Sequence, residues 1–122
     1  MTVELSTLGS VIKTAYDGQP KDVDAKTDNY VLVLGDAQHW IRVNKATSNT
    51  VTVPNHADVN FVLGTEITIE QSGAGQTTVV ADSGVTVRTA ETLALAKQYA
   101  VATLKKVAAD EWNLVGYLEL AP

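Results

Sequence analysis

The sequence predicts a mainly β protein: a small antiparallel β-sandwich or barrel preceded by an N-terminal arm with a short helix. Three observations predict it. Valine, threonine and isoleucine supply 36 of 122 residues, and β-branched side chains lose rotamer freedom in helices but pack well on a pleated surface. Apolar and polar residues alternate with period two in several short runs. Turn residues punctuate these runs at intervals of roughly 8–12 residues, the spacing of an all-β sandwich or barrel.

The N-terminal segment follows a different pattern. Leu5, Leu8, Val11, Ile12, Ala15 and Tyr16 recur at helical spacing and would share one stripe. Ser6 or Thr7 can cap that helix and Asp17-Gly18 can stop it. Gly9 inside it costs about 1 kcal/mol relative to alanine, so the helix needs something to dock on. From Gln19 to Asn29 the chain is polar and charged, the composition of a linker. The chain therefore divides into an arm and linker, residues 1–29, and a β body, residues 30–122.

Within the body, Tyr30 to Leu34 reads as a continuous apolar strand closed by Gly35-Asp36. Trp40 to Asn44 alternates with Ile41 and Val43 on one face, and Thr50 to Val53 alternates before Pro54-Asn55. Val59 to Leu63 reads as a short apolar strand. Thr65 to Glu70 directs Ile67 and Ile69 inward and Glu66, Thr68 and Glu70 outward. The Ser72-Gly73-Ala74-Gly75 turn is expected to return the chain as a hairpin through Thr77 to Val80. After Asp82-Ser83-Gly84 comes Val85-Thr86-Val87. Residues 90–97 read as a short helix or loop, and 99–108 with 111–118 as two strands turning near Asp110-Glu111.

The composition excludes several kinds of function. Without cysteine there is no disulfide framework, thiolate nucleophile or cysteine metal site. A net charge of -5 disfavours nucleic acid as a partner. The apolar runs are far too short for a membrane helix, and the first residues lack the pattern of a secretory signal.

Candidate chemistry is sparse. His39 and His56 lie in loop-like places outside any helical metal-ligand pair, and solvated histidines are the expectation. Gly73-Ala74-Gly75-Gln76 precedes a strand, whereas a phosphate-cradling loop opens a helix. No serine sits in a nucleophile elbow. The carboxylate pairs Asp22/Asp24, Glu66/Glu70 and Asp110/Glu111 fit solvated faces and a turn. Lys105 and Lys106 alternate to opposite faces and form no basic patch. The aromatics Tyr30, Trp40, Tyr99, Trp112 and Tyr117 suit core packing, with the tryptophans sealing the ends of an aliphatic core, although ring faces also stack on sugars. No catalytic, cofactor-binding or metal residue is assigned, no cofactor is expected, and the chain is not read as an enzyme.

Two stretches carry a resemblance. Val3-Glu4-Leu5-Ser6-Thr7-Leu8-Gly9-Ser10-Val11-Ile12-Lys13-Thr14-Ala15-Tyr16 resembles the opening of small tailed-phage virion proteins of the head-fibre or tail-fibre type. The ordered series Trp40 to Asn44, Asn49 to Pro54, Val62 to Ile69, Gln71 to Val79, Ser83 to Val87 and Glu111-Trp112-Asn113-Leu114-Val115-Gly116 resembles a β module recurrent in phage appendages. The resemblance implies a virion structural protein, made in the host bacterial cytoplasm and carried on the virion surface, commonly as a homotrimer. The sequence ends at Pro122, directly after the β module, which favours a capsid decoration or head-fibre protein over a full tail fibre. Its expected partners are sister subunits and the major capsid protein or another virion protein. Leu5, Leu8, Val11, Ile12 and Tyr16 are the candidate capsid or subunit docking residues. The alternative is a tail-fibre or receptor/carbohydrate-binding module on the phage tail, with a host-surface glycan as its partner.

Overall fold

The computed structural model describes residues 22–122. The expected arm helix and its docking residues Leu5, Leu8, Val11, Ile12 and Tyr16 lie outside the described residues. The described chain is mainly β, as its composition predicts. Nine strands form two sheets: β1 (Val23–Lys26), β2 (Tyr30–Val31), β3 (Trp40–Val43), β4 (Asn49–Val53), β5 (Glu66–Gln71), β6 (Thr77–Ala81), β7 (Thr86–Arg88), β8 (Val101–Ala108) and β9 (Glu111–Gly116). The larger sheet has the order β1-β3-β5-β8-β9-β7, and the smaller has the order β2-β4-β6.

The pairing corrects the antiparallel expectation. Strands β1, β3 and β5 run parallel, as do β2, β4 and β6. From β1 to β6 each strand is followed by one in the other sheet. The chain thus winds as three stacked two-strand coils, and strands that neighbour one another within a sheet share a direction. The expected hairpin between β5 and β6 is absent for the same reason: β6 pairs with β4. A period of two specifies which face a side chain takes but not which strand lies beside it. Antiparallel pairing begins only at β8, which closes the large sheet against β5 and then turns back into β9. Of the two hairpins the sequence predicted, this last one is present.

The second and third coils stack in register. Trp40 pairs with Thr68 and Asn49 with Thr77, an offset of 28 residues in both sheets. The corner after β3 therefore lies directly against the corner after β5. A Cβ at Gly73 would fall 2.5 Å from the Lys45 amide nitrogen, and one at Gly75 would overlap the Thr47 carbonyl. Glycine at 73 and 75 is required by backbone crowding, with Gly75 N–H donating to Lys45 O at 2.9 Å. Three buried polar side chains tie these corners together. Thr77 Oγ1 donates to Asn49 Oδ1 at 2.6 Å, Asn49 Nδ2 donates to Thr47 O and Gly75 O, and Gln71 Oε1 accepts from Thr77 N–H. Buried polar groups are tolerable when paired in this way.

The core lies between the sheets. Ile41, Val43, Ile67, Ile69, Leu104 and Leu114 face inward from the large sheet, and Val51, Val53 and Val79 from the small one. Full burial of such side chains is worth roughly 1.5–3 kcal/mol each before chain entropy is subtracted. Phe61 meets Trp112 edge-to-face with ring centroids 5.4 Å apart. Trp112 thus seals the core as expected, whereas Trp40 lies half-buried on the outer face of β3, donating to Glu70.

Several local expectations change. Residues 59–63 form a loop, in which Phe61 is buried while Val62 and Leu63 are exposed. Tyr30 to Leu34 gives a two-residue strand followed by a 3₁₀ turn over Leu34–Asp36. Thr68 is buried on the outer face, where its hydroxyl lies 3.0 Å from that of Thr103. Residues 90–97 take the loop form of the two the sequence allowed, with isolated bridges that tie Ala94 to Thr78 and Leu95 to Leu118. Val23–Lys26, within the stretch assigned to the linker by composition, pairs with β3.

Candidate binding cleft

Three groupings of polar or titratable side chains stand out, and two of them are explained by the fold. In the first, Lys106 is only 2% exposed because alternation along β8 places it inward beside Ala102 and Leu104. Its ammonium donates to Phe61 O at 2.7 Å and to His56 Nδ1 at 2.8 Å, and lies 5.9 Å from the Trp112 ring. Burial pushes the Lys106 ammonium below its ordinary value, partly opposed by Asp110. His56 therefore anchors a buried amine instead of projecting as a free loop histidine. The arrangement fastens the loop after β4 to the core.

The second grouping surrounds His39. Its Nδ1 lies 2.8 Å from Asp24 Oδ2 and its Nε2 lies 3.5 Å from Asp22 Oδ2. Asp24, Asp36 and His39 each bring one potential ligand atom within 4.8 Å of the others. Buried Asp36 has a structural role, because its Oδ2 accepts from the Val33 N–H at 2.9 Å and the Tyr30 hydroxyl at 2.8 Å. Burial and the Asp36 carboxylate together raise the Tyr30 phenol well above its ordinary range. The sequence pattern treated Asp22, Asp24 and His39 as separate solvated groups. Only the parallel pairing of β1 with β3 brings them together.

The third grouping is an open cleft of about 260 Å³ where the ends of β1 and β3 meet the corner after β5. Ala25, Lys26, Thr27, Arg42, Asn44, Ser72 and Tyr99 line it. Arg42 points to the outer face, and its Nε donates to Glu70 Oε1 at 2.7 Å. Glu70 also accepts from Trp40 Nε1 at 3.0 Å, which fixes the carboxylate and hence the guanidinium. The terminal nitrogens of Arg42, the Asn44 side-chain amide and the Thr27 hydroxyl have no hydrogen-bond partner among the described residues, while the Asn44 backbone N–H donates to Lys26 O at 2.8 Å.

Tyr99 forms one wall of the cleft, and its backbone is in an unusual conformation. Two non-glycine residues among those described have positive φ, Gln38 at 67° and Tyr99 at 70°. Such a conformation costs a side-chain-bearing residue roughly 1–2 kcal/mol. At Gln38 the fold uses the side chain: its Oε1 accepts from Glu66 N–H while its own N–H donates to Glu66 O, each at 2.7 Å. At Tyr99 only the backbone is used, with N–H donating to Gln71 O at 2.6 Å. The Tyr99 side chain is 64% exposed, and its hydroxyl has no partner among the described residues.

The other aromatics that could have formed a platform are occupied or remote. Trp112 is in the core, Trp40 is tied to Glu70, Tyr30 is tied to Asp36, and Tyr117 lies beside Lys97. The sequence named Tyr99 among five rings but gave no reason to select it, because a positive φ at tyrosine has no sequence signature.

Among the described residues no helix is long and apolar enough to cross a membrane. No family model matches the chain, and no curated protein or solved structure does so either.

Proposed function

We propose that the chain is a phage virion structural protein, a capsid decoration or head-fibre protein attached through its N-terminal end. The observation that carries this reading is where the chain enters the fold. The described chain enters the fold at β1, which among the described residues is outermost in the large sheet, as β2 is in the small one. The same end of the coil stack presents Val23, Val31, Val33 and Leu34, each at least half exposed. An end where, among the described residues, β1 and β2 are edge strands and apolar side chains are exposed suits docking by strand addition or burial. The ordered turns and strands that resemble a phage appendage module support the same reading. A homotrimer would multiply a weak contact on a symmetric lattice, and binding only the assembled particle would stabilise it by mass action.

The test is deletion of residues 1–18. The truncated protein is expected to keep its β circular dichroism and cooperative melting while losing co-sedimentation with particles. Full particle binding by the truncated protein would remove the arm as anchor. Negative-stain images of the particle decide between head and tail.

One observation favours the second reading, a carbohydrate-binding module displayed on the tail: the exposed Tyr99 beside the Arg42 cleft.

A further inference from the structure

We infer that the cleft between Arg42 and Tyr99 is a binding site for a carboxylated saccharide. This deepens the displayed-binding reading by naming its site and ligand class. Three independent features converge on it. Tyr99 keeps a large side chain at φ 70° while its ring remains mostly outside the core. The fold uses the backbone here, in the turn that Ala100 N–H closes on Lys97 O and in the Tyr99 N–H bond to Gln71 O, but not the side chain, and a bulky side chain kept at such a position is a marker of function. The contrast with Gln38, whose side chain repays the same conformation with a backbone hydrogen bond, isolates the Tyr99 ring as the unexplained group.

Arg42 supplies the second feature. Glu70 holds its Nε and leaves the terminal nitrogens free, so the guanidinium is pre-oriented without being fully consumed. A planar fork with free terminal donors matches a carboxylate. The third feature is the remainder of the lining. Asn44 and Thr27 offer amide and hydroxyl groups suited to sugar hydroxyls, the Ser72 hydroxyl donates to Val43 O and keeps its lone pairs as acceptors, the Lys26 ammonium sits over the Tyr30 ring, and among the described residues no carboxylate lines the cleft. At about 260 Å³ and open to solvent, the space suits one or two sugar rings and is small for a drug-sized ligand. An amphipathic ring wall with polar groups opposite is the arrangement a pyranose requires: its C–H face packs on the aromatic and its rim is hydrogen-bonded.

The experiment is saturation-transfer NMR and calorimetric titration of the full chain with sialyllactose and trigalacturonate, with lactose and maltotriose as neutral counterparts. Binding of at least one carboxylated sugar is expected, at least tenfold tighter than either neutral one. Tyr99→Gly is the decisive variant, because glycine adopts positive φ without strain. It is expected to melt at or above the wild-type temperature and to lose at least tenfold in affinity. Arg42→Gln is expected to reduce the preference for the carboxylated sugars over the neutral ones. The inference is overturned if neither carboxylated sugar binds, if the neutral sugars bind equally well, or if Tyr99→Gly binds like wild type. A marked fall in the melting temperature of Tyr99→Gly would overturn it too, by showing that the fold uses the ring. Particle location is measured separately, so failure of the cleft and failure of the virion reading are distinguishable.

Discussion

The Lys106 ammonium lies 2.8 Å from His56 Nδ1, and the two residues are separated by 50 positions in the chain. A buried amine here joins the loop after β4 to the centre of β8, with Phe61 O as its second acceptor. Removing either side of this contact leaves a polar atom without its partner. Lys106→Met is expected to cost about 1–3 kcal/mol, because methionine fills the space but abandons both acceptors. Urea denaturation of the variant measures this, and an unchanged midpoint would show that the loop is held by packing alone.

The same amine makes stability depend on pH in a definite direction. Burial lowers the Lys106 value in the folded state below its ordinary 10.5. Between the two values the unfolded chain binds more protons, so this group's contribution rises as pH rises through that window. The stability difference between wild type and Lys106→Met is therefore expected to widen toward alkaline pH up to that limit. Melting curves recorded on both proteins across the alkaline range check the sign.

Tyr30 has the opposite sign. Its phenol is raised above the ordinary 10.0 by burial and by Asp36, so the folded state retains a proton that the unfolded chain releases. The stabilisation is complete below that ordinary value and is lost as pH climbs from it toward the raised one. Tyr30→Phe is expected to cost about 1–3 kcal/mol at neutral pH, since buried Asp36 loses a donor. Its stability should then fall less steeply above about pH 10 than that of wild type. Ultraviolet phenolate titration combined with chemical denaturation measures both effects.

At the stacked corners, Gly75→Ala would drive a methyl group into the Thr47 carbonyl, where both atoms belong to backbone and neither yields cheaply. A loss of about 1–3 kcal/mol or more is expected. Gly35→Ala is the control: nothing lies within 4 Å of its added Cβ, and a change within about 0.5 kcal/mol is expected. Equal melting temperatures for the two variants would remove backbone crowding as the reason for Gly75.

Thr77→Val tests the buried network between the same corners. The shape is retained, but Asn49 Oδ1 loses the hydroxyl that donates to it at 2.6 Å. A cost of about 1–3 kcal/mol follows from leaving a buried acceptor unpaired. Pairing Thr77→Val with Asn49→Leu in a double-mutant cycle isolates the coupling, and additive effects would mean that the contact contributes nothing.

The sequence by itself determined where most strands lie and which way many of their side chains point. The Ile41/Val43 and Ile67/Ile69 alternations and the β8–β9 hairpin all rest on local pattern, and local pattern survives in the fold. Even the inward direction of Lys106 was implicit in its alternation with Lys105, although its partners were not. Tertiary structure alone decided which strands are neighbours. Parallel coils and antiparallel hairpins share the same period of two, and the difference lies in whether a corner crosses to the other sheet. That choice placed Gly73 and Gly75 against the preceding corner, gathered Asp22, Asp24 and His39, and set Arg42 near Tyr99. Each juxtaposition joins residues far apart in the chain through non-local pairing, and a one-dimensional pattern carries no distance between them.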